Sequence, residues 1–191
     1  MRRLLALADT RRRGQIPDKL VAIDQVLEVS ARSVASEIER LLGTRGLVDV
    51  SRLDVSLMVN DGKRPPDRPM LRVVAAAGDL GEAYWNFALE EGDGNAGRAY
   101  KTNLFRAFDQ EIPDYKRGSY VMIAGLEQHQ FLYSMPLRHP ADKGLIYGIL
   151  NVGTFDKDQG ALLRALNTDE GVLWLLEHGQ KYVLQRVLDL I

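Results

Sequence analysis

Residues 91–103 read EGDGNAGRAYKTN, and the glycines at positions 92, 94 and 97 have the spacing of a dinucleotide-binding loop. Such a loop follows a buried strand of a parallel βαβ unit, with an acidic residue about 20 positions further on. The preceding segment, EAYWNFALEE, is not a run of β-branched residues, and the acidic candidates Asp109 and Asp114 lie among other charged residues. The stretch is therefore not expected to hold a dinucleotide.

The same glycines predict a tight turn followed by a short helix, AGRAYKT. Glycines 92 and 94 permit the turn, and either Asp93 or Asn95 can cap the helix. Gly97 is small enough for the helix to lie close against a sheet. The free N–H groups at the helix start, residues 95–97, would still attract an anionic group of a ligand.

Alternating apolar residues on both sides of this stretch predict two β-hairpins. The strands of the first pair are RLDVSLMVN and LRVVAAAGD, joined by the turn-forming residues DGKRPPDRP. The strands of the second pair are FLYSMPLRH and GLIYGILNVGTF, joined by PADKG. A short strand, LFRAFD, is predicted between the pairs, and Pro136 indicates a sheet edge or a bulge.

A long helix is predicted from Asp18 to Leu42, because apolar residues recur there in steps of three and four. Gly43 and Gly46 end it. The apolar seam of this helix consists of Leu20, Ile23, Leu27, Ala31, Val34, Ile38 and Leu41. From its spacing, this seam can cover a sheet or pair with a second copy of itself.

The C-terminal part is also predicted to be helical. One helix is expected to begin at Asp158 as its N-cap, and a last helix at a capping box formed by Asn167 and Glu170. The expected apolar stripe of the last helix is Val172, Leu176, Gly179, Val183, Val187 and Leu190. Antiparallel strands flanked by helices at both chain ends predict an α+β fold.

Composition narrows the possible functions. The net charge of −1 removes the usual electrostatic argument for a nucleic-acid-binding protein. The absence of cysteine excludes disulfides, thiolate metal sites and cysteine nucleophiles, and it fits the cytoplasm. No segment is apolar enough for a secretory signal or a membrane span. Without a nucleophile-elbow pattern or regular histidine spacing, neither an enzyme nor a metal site is expected.

The expected organisation is a basic N-terminal arm over residues 1–17, followed by a single domain over residues 18–191. In that domain, residues 18–46 form the N-terminal helix, residues 47–157 the sheet and pocket, and residues 158–191 the C-terminal helices. The arm carries arginines at positions 2, 3, 11, 12 and 13. A solvated end is expected, and contact with an acidic lipid or RNA is the alternative.

Four motifs in this order resemble a GAF domain: the hairpin ending in AAAG, the helix start GDGNAGRA, the tripeptide MPL and the strand YGILNVGTF. The resemblance runs from about residue 51 to residue 155. It implies a six-stranded antiparallel sheet with helices on both sides. It also implies a small-molecule pocket between one sheet face and the middle helices, and terminal helices that dimerise.

The resemblance also assigns ligand-binding positions in this pocket. They are Ser56 and Met58 on the first strand; Ala96, Gly97 and Tyr100 on the helix after the glycines; Asp109 and Tyr115 after the next strand; Tyr120, His129 and Gln130 in the lid; and Ser134 on the following strand. For each of these side chains the alternative role is packing, particularly for the tyrosines, since aromatic rings bury well without a ligand.

The ligand itself is left open. GAF domains that attach a bilin covalently use a cysteine, as do the methionine sulfoxide reductases of this fold, so both classes are excluded. The cyclic-nucleotide signature Asn-Lys…Phe…Asp-Glu is not matched by FDQE at residues 108–111, and Ala76, Ala77 and Gly78 supply no carboxylate for the base. Haem bound through His129 is not favoured, because a loop histidine in solvent is the simpler interpretation.

These observations favour a cytoplasmic sensory domain that takes part in signal transduction. It would bind a small ligand, signal as a homodimer through its terminal helices and act on a separate or fused output partner. The alternative is a ligand-free module for dimerisation or protein interaction.

Overall fold

Six strands form one antiparallel sheet in the order β3-β2-β1-β6-β5-β4. The computed structural model describes residues 1–62, 70–77, 81–112, 121, 128–142 and 144–191. The strands are β1 (Asp54–Asn60), β2 (Met70–Ala76), β3 (Ala88–Glu90), β4 (Arg106–Asp109), β5 (Phe131–Arg138) and β6 (Ile146–Thr154). This sheet and the helices around it confirm the predicted α+β class.

The helices are distributed over both faces of the sheet. They are α1 (Arg2–Arg12), α2 (Asp18–Leu42), α3 (Gly81–Trp85), α4 (Gly94–Thr102), α5 (Lys157–Leu163), α6 (Asp169–His178) and α7 (Gln185–Leu190). A π-helical segment, Gly179–Leu184, joins α6 to α7. The terminal helices α1, α2, α5, α6 and α7 share one core with the sheet, whereas α3 and α4 contribute to a second core.

The central strand β1 shows why there are two cores. Its residues alternate in direction, so that Val55, Leu57 and Val59 join the core under the terminal helices. Met58 joins the second core instead. The strands β2 and β6 pair with both edges of β1, and the two cores cover its two faces, so all of its residues are buried.

The long helix α2 has the bounds that its periodicity predicts, Asp18 to Leu42, and Gly43 is its C-cap. Of the predicted seam, every residue except Leu41 is buried, and the seam packs into the core that α2 shares with β1, β2 and α7. The seam therefore covers the sheet within a single chain and is not available for pairing with a second copy.

Residues 2–12 differ from the arm expected at the N terminus, because they form α1 and dock on the domain. Leu4 and Ala8 are buried in the core of the terminal helices. Arg11 forms an ion pair with Asp24 of α2 and is itself almost fully buried. This part of the basic segment therefore belongs to the folded structure.

The C-terminal helices begin at caps other than the predicted ones. Asp156, not Asp158, caps α5, and its side chain accepts a hydrogen bond from the backbone N–H of Gln159. Thr168 caps α6 through the N–H of Gly171, so Asn167 lies outside the helix. Gly179, Val183 and Val187 of the predicted stripe are buried, whereas Gly171, Leu175 and Leu184 are buried in place of Val172, Leu176 and Leu190.

Pro136 lies where a strand proline is tolerated. It pairs with Ile149 of β6, but β4 pairs with β5 only from Phe131 to Ser134. The register of β5 and β6 shifts just beyond it, between Leu137 and Arg138. The prediction of an edge or bulge at this position is confirmed.

Candidate functional site

A row of buried polar side chains crosses the sheet face that α3 and α4 cover. We call it the polar floor, and it consists of Asn95, Ser134, Asn151, Ser56, Tyr84, Asp54 and His129. Each of these residues is at most 5% exposed. Buried polar groups are costly unless they are hydrogen bonded, so their partners decide whether this arrangement is stable.

One half of the polar floor is made of amides and serine hydroxyls. The Asn95 side-chain amide donates to Ser134 Oγ over 3.0 Å, and Ser134 Oγ lies 2.8 Å from Asn151 Oδ1. The Asn151 amide in turn donates to Ser56 Oγ over 3.4 Å. Ser134 pairs with Asn151, and Asn151 with Ser56, in the strand register. The strand pairing therefore places these three side chains side by side.

The other half ends on a carboxylate. The Tyr84 hydroxyl lies 2.7 Å from Ser56 Oγ and 2.9 and 3.0 Å from the two oxygens of Asp54. His129 Nε2 is 2.8 Å from Asp54 Oδ2, and the imidazole stacks on Phe155 with ring centroids 3.9 Å apart. Asp54 thus accepts hydrogen bonds from a hydroxyl and an imidazole, where burial has removed it from water.

The hydrogen bonds can all run in one direction. Ser134 donates to Asn151. The Tyr84 hydroxyl is within donating distance of both Ser56 and Asp54 but has a single hydrogen; when it donates to the carboxylate of Asp54, its oxygen can accept the hydrogen of Ser56. In a low-dielectric interior such aligned chains polarise and strengthen one another. The polar floor is consequently a preorganised network, and Asp54 is its final acceptor.

A cavity of about 40 Å³ lies above the polar floor. Its apolar lining comes from Met58, Val73, Phe87, Leu89, Ala96, Val121 and Leu132. Its polar lining includes Asn95, Asn151, Tyr84 and His129. A water needs roughly 10–15 Å³ measured in this way, so the cavity has room for a few waters or a very small ligand.

The glycine stretch builds one wall of this cavity. Gly92 and Gly94 have φ angles of 96° and 59°, the left-handed region that favours glycine, and they turn the chain from β3 into α4. A Cβ at Gly97 would lie 2.5 Å from the carbonyl oxygen of Glu90, so only glycine lets α4 pack this closely on β3. β3 is an edge strand that pairs antiparallel with β2, which is not the setting of a dinucleotide-binding loop.

Neither predicted cap of α4 makes a capping hydrogen bond. Asp93 is the N-cap residue, but its side chain makes no such bond. Asn95 reaches into the sheet instead, where its amide also lies 3.3 Å from the carbonyl oxygens of Arg106 and Leu132. The side chain expected at the helix start is therefore part of the polar floor.

The structure brings several of the predicted ligand-binding residues together. Met58, Ala96 and His129 line the cavity, and Ser56 and Ser134 belong to the polar floor. Two others lie nearby: Gly97 packs against Glu90, and Tyr100 is half-buried, with its hydroxyl bonded to Asn60 of β1. Tyr115 and Tyr120 lie outside the described residues.

Two predicted residues do not face this cavity. Asp109 points to the other sheet face, where Arg164 holds it with two hydrogen bonds of 2.6 and 2.8 Å. Burial opposes its charge, but these bonds keep the pKa of Asp109 below its ordinary value. Gln130 packs against Gly160 of α5. The sequence resemblance placed both by position along the chain. The alternation of side chains along β4 turns Asp109 to the other face, and Gln130 lies in the bend before β5.

His129 also differs from the solvent-exposed histidine that was expected. It is 3% exposed, and its Nε2 faces Asp54, which is not the geometry of a haem ligand in an open lid. Asp54, Tyr84 and Asn151 were not identified from the sequence, and Asn95 was singled out only as a possible helix cap and part of the anion-attracting helix start. The alternation in RLDVSLMVN carried a signal for Asp54, since it placed this residue and Ser56 opposite the apolar face of a strand.

Within the described residues, no three histidine or acidic side chains lie together in a way that would hold a metal ion. The same part of the chain contains no helix that is both long and apolar enough to cross a membrane.

Comparison with solved structures identifies GAF domains. The GAF domain of an Acinetobacter phosphoenolpyruvate-protein phosphotransferase is 14% identical, covering 91% of this chain and 90% of its own, with a TM-score of 0.49. The second GAF domain of DevS from Mycobacterium smegmatis is 18% identical, with coverages of 83% and 97% and a TM-score of 0.38. Staphylococcus aureus NreA, mutated in its nitrate binding site, is 16% identical, with coverages of 65% and 80% and a TM-score of 0.43.

No protein-family model matches the chain, and no curated protein does. At these identities the likeness concerns the fold alone. The antiparallel six-stranded sheet with helices on both faces is the fold that the resemblance to a GAF domain implies.

Proposed function

We propose that this GAF-like domain is a sensory or regulatory module that binds a small polar ligand over the polar floor. The observation that supports this proposal is the connected polar network beneath a cavity with an apolar rim. A sheet face that only had to be covered by helices would be apolar, because burying polar groups costs free energy. A rigid set of placed polar groups in an apolar cleft is what a specific small-molecule site requires.

The chemistry of the floor favours one class of ligand group. Asp54 accepts hydrogen bonds from Tyr84 and His129 and would repel a nearby anion. The ligand group that reaches the floor is therefore proposed to be neutral or a hydrogen-bond donor. This departs from the anionic group expected at residues 95–97, where Gly97 is packed against Glu90.

A thermal-shift screen of neutral and cationic metabolites tests this proposal, with a variant that fills the cavity. Ala96 lines the cavity and Ala161 is an exposed alanine of α5, so Ala96→Leu and its matched control Ala161→Leu add the same side chain at the two sites. A true ligand should raise the melting temperature of the wild type and of Ala161→Leu, and not that of Ala96→Leu.

The result that contradicts ligand binding is equally specific. If no compound stabilises the wild type, and Ala96→Leu is itself more stable than the wild type, the cavity is a packing defect and not a site. Binding that is unaffected by Ala96→Leu would place the ligand elsewhere.

The second candidate is a module that dimerises without a ligand. Val21 and Val29 of α2 and Leu173 of α6 are 43%, 41% and 60% exposed. Because the seam of α2 is buried within the chain, a homodimer would use these outward faces. Light scattering of the wild type and of Val29→Glu tests this: a wild type that is monomeric at micromolar concentration rules out the dimer. For both candidate functions, the signalling response would come from a partner protein or from a longer parent chain.

A further inference from the structure

Helix α3 lies between β2 and β3 in the chain, and its last two residues, Tyr84 and Trp85, both pack on the second core but make different polar contacts. Tyr84 is 4% exposed, and its hydroxyl contacts Asp54 and Ser56 in the polar floor. The next residue, Trp85, contacts the N-terminal helix α1. Since α1 belongs to the core on the opposite face of the sheet, this short helix connects the two sides.

Two arginines of α1 hold Trp85. The guanidinium of Arg11 lies over the indole ring, 4.0 Å from its centroid, and Arg12 Nε lies 3.4 Å from the Trp85 carbonyl oxygen. The side chain of Arg11 is only 8% exposed, so this cation–π contact is largely desolvated and stronger than a surface contact. Trp85 is therefore fixed to α1 and not loosely packed beside it.

The contacts continue into α2 and return to the polar floor. Arg11 forms an ion pair with Asp24, whose Oδ1 accepts a hydrogen bond of 3.0 Å from the N–H of Ala76 in β2. Ala76 is paired with Ser56 in the sheet, and Ser56 contacts the hydroxyl of Tyr84. The contacts thus form a closed circuit from the floor through α3, α1, α2 and β2.

We propose that α3 couples the cavity to the terminal helices, so that a ligand which displaces the Tyr84 hydroxyl also changes the contact of Trp85 with Arg11 and the attachment of α1. This inference rests on the proposed sensory function, because that function supplies the ligand as the signal. The contacts that couple the cavity to α1 are present without a ligand. A ligand that donates a hydrogen bond to Asp54 competes with Tyr84 for the same carboxylate. Because Trp85 follows directly on Tyr84, a shift of one backbone position moves the other.

Amide hydrogen exchange of α1 tests the coupling in the full chain without ligand. Tyr84→Phe removes the hydroxyl and keeps the ring. Its matched control is Tyr133→Phe, which also loses one buried hydroxyl, but one whose hydrogen bond of 3.1 Å runs to the Leu163 carbonyl at the end of α5. Contacting residues usually couple strongly enough to change a local opening equilibrium by roughly 3- to 100-fold.

We expect Tyr84→Phe to speed exchange in α1 by at least about 3-fold relative to α5, and Tyr133→Phe not to do so. Arg11→Lys then supplies the second half of a double-mutant cycle, because lysine keeps the charge opposite Asp24 but loses the planar stack on Trp85. In the Arg11→Lys background, the effect of Tyr84→Phe should fall below about 2-fold. The proposal is overturned if the two tyrosine variants speed amide exchange in α1 equally. It is also overturned if the effect of Tyr84→Phe is undiminished in the Arg11→Lys background.

A second measurement does not depend on how firmly α1 stays attached in the Arg11 variant. The chain has two tryptophans, so Trp174→Phe leaves Trp85 as its single tryptophan, whose emission can be followed separately from that of the tyrosines. Tyr84→Phe should shift the emission of Trp85 and Tyr133→Phe should not; the absence of a shift overturns the proposal. If the ligand screen finds no ligand, this counts against the proposed function only. The hydrogen-exchange and fluorescence results are unaffected, because both are measured without ligand.

Discussion

Replacing Gly97 by alanine is expected to force α4 away from the turn that precedes it. The new Cβ would lie 2.5 Å from the Glu90 carbonyl oxygen and 3.1 Å from the Gly92 nitrogen, whereas ordinary contacts begin at 3.4 Å. Both obstacles are backbone atoms, so no side chain can rotate out of the way. The helix has to move by most of an ångström, and Asn95 and Ala96 move with it.

The expected cost follows from two opposing effects. Overpacking of this kind typically costs about 1–3 kcal/mol, and an alanine in a helix regains about 1 kcal/mol over glycine. Because the clash is with backbone, we expect the upper part of the range and a net loss of about 2 kcal/mol in the free energy of unfolding. For a domain of this size, that corresponds to a melting temperature lower by roughly 4–8 °C.

Urea unfolding followed by circular dichroism measures this loss, with Gly179→Ala as the control. Gly179 is also helical, but its nearest neighbours at 3.2 and 3.4 Å are methyl ends of the flexible side chains Leu137 and Leu150. The control should lower the free energy of unfolding by less than Gly97→Ala does, because a side-chain methyl group can shift by a fraction of an ångström where a backbone carbonyl cannot. If Gly97→Ala is equally mild, the close packing of α4 on β3 is not what this glycine provides.

Asp109→Asn should lower the free energy of unfolding by about 1–3 kcal/mol at pH 7, because it removes the buried carboxylate from Arg164. Burial opposes the charge of Asp109, but Arg164 holds its pKa below the ordinary 3.8, so the difference from wild type should begin to shrink as pH falls through 3.8 and should be lost only below the pKa of the folded state; a difference that does not shrink at all below 3.8 contradicts this. Burial also lowers the pKa of His178 below 6.5, so the unfolded chain takes up this proton first and wild-type stability should fall as pH drops below 6.5. Glutamine can keep the bond to Ser30 without titrating, so urea unfolding of His178→Gln should give a flatter pH dependence between pH 7.5 and 5.5; an equal slope would exclude His178 as the source.

Several features of the fold could be predicted because their signals are local. The bounds of α2 follow from a long apolar periodicity between Asp18 and Leu42 and from Gly43 at its end. The hairpin strands follow from alternation, and the glycine turn from spacing alone. The caps of α5 and α6 were each missed because an equally good capping residue stands one or two positions away, and only the backbone geometry selects Asp156 and Thr168.

The candidate site was predicted less completely. The resemblance identified Met58, Ala96 and His129 at the cavity. It also included Asp109, which the alternation of side chains along β4 places on the opposite face. Asp54 was not among the predicted residues. Its burial depends on β1 being central and covered on both sides, and this is a property of the assembled sheet.

The sequence by itself determined the long helix α2, α4, the two hairpins, β4 and the α+β class, because helix and strand periods and turn residues act over a few positions. It did not indicate α1, α3 or the short edge strand β3. The tertiary structure alone decided that the seam of α2 is used within the chain, that residues 2–12 dock as a helix, and that seven polar side chains from separate elements join into one floor. These features depend on which surfaces meet after the sheet forms. The contact of Trp85 with Arg11 joins positions 74 residues apart, and no local pattern at either position encodes it.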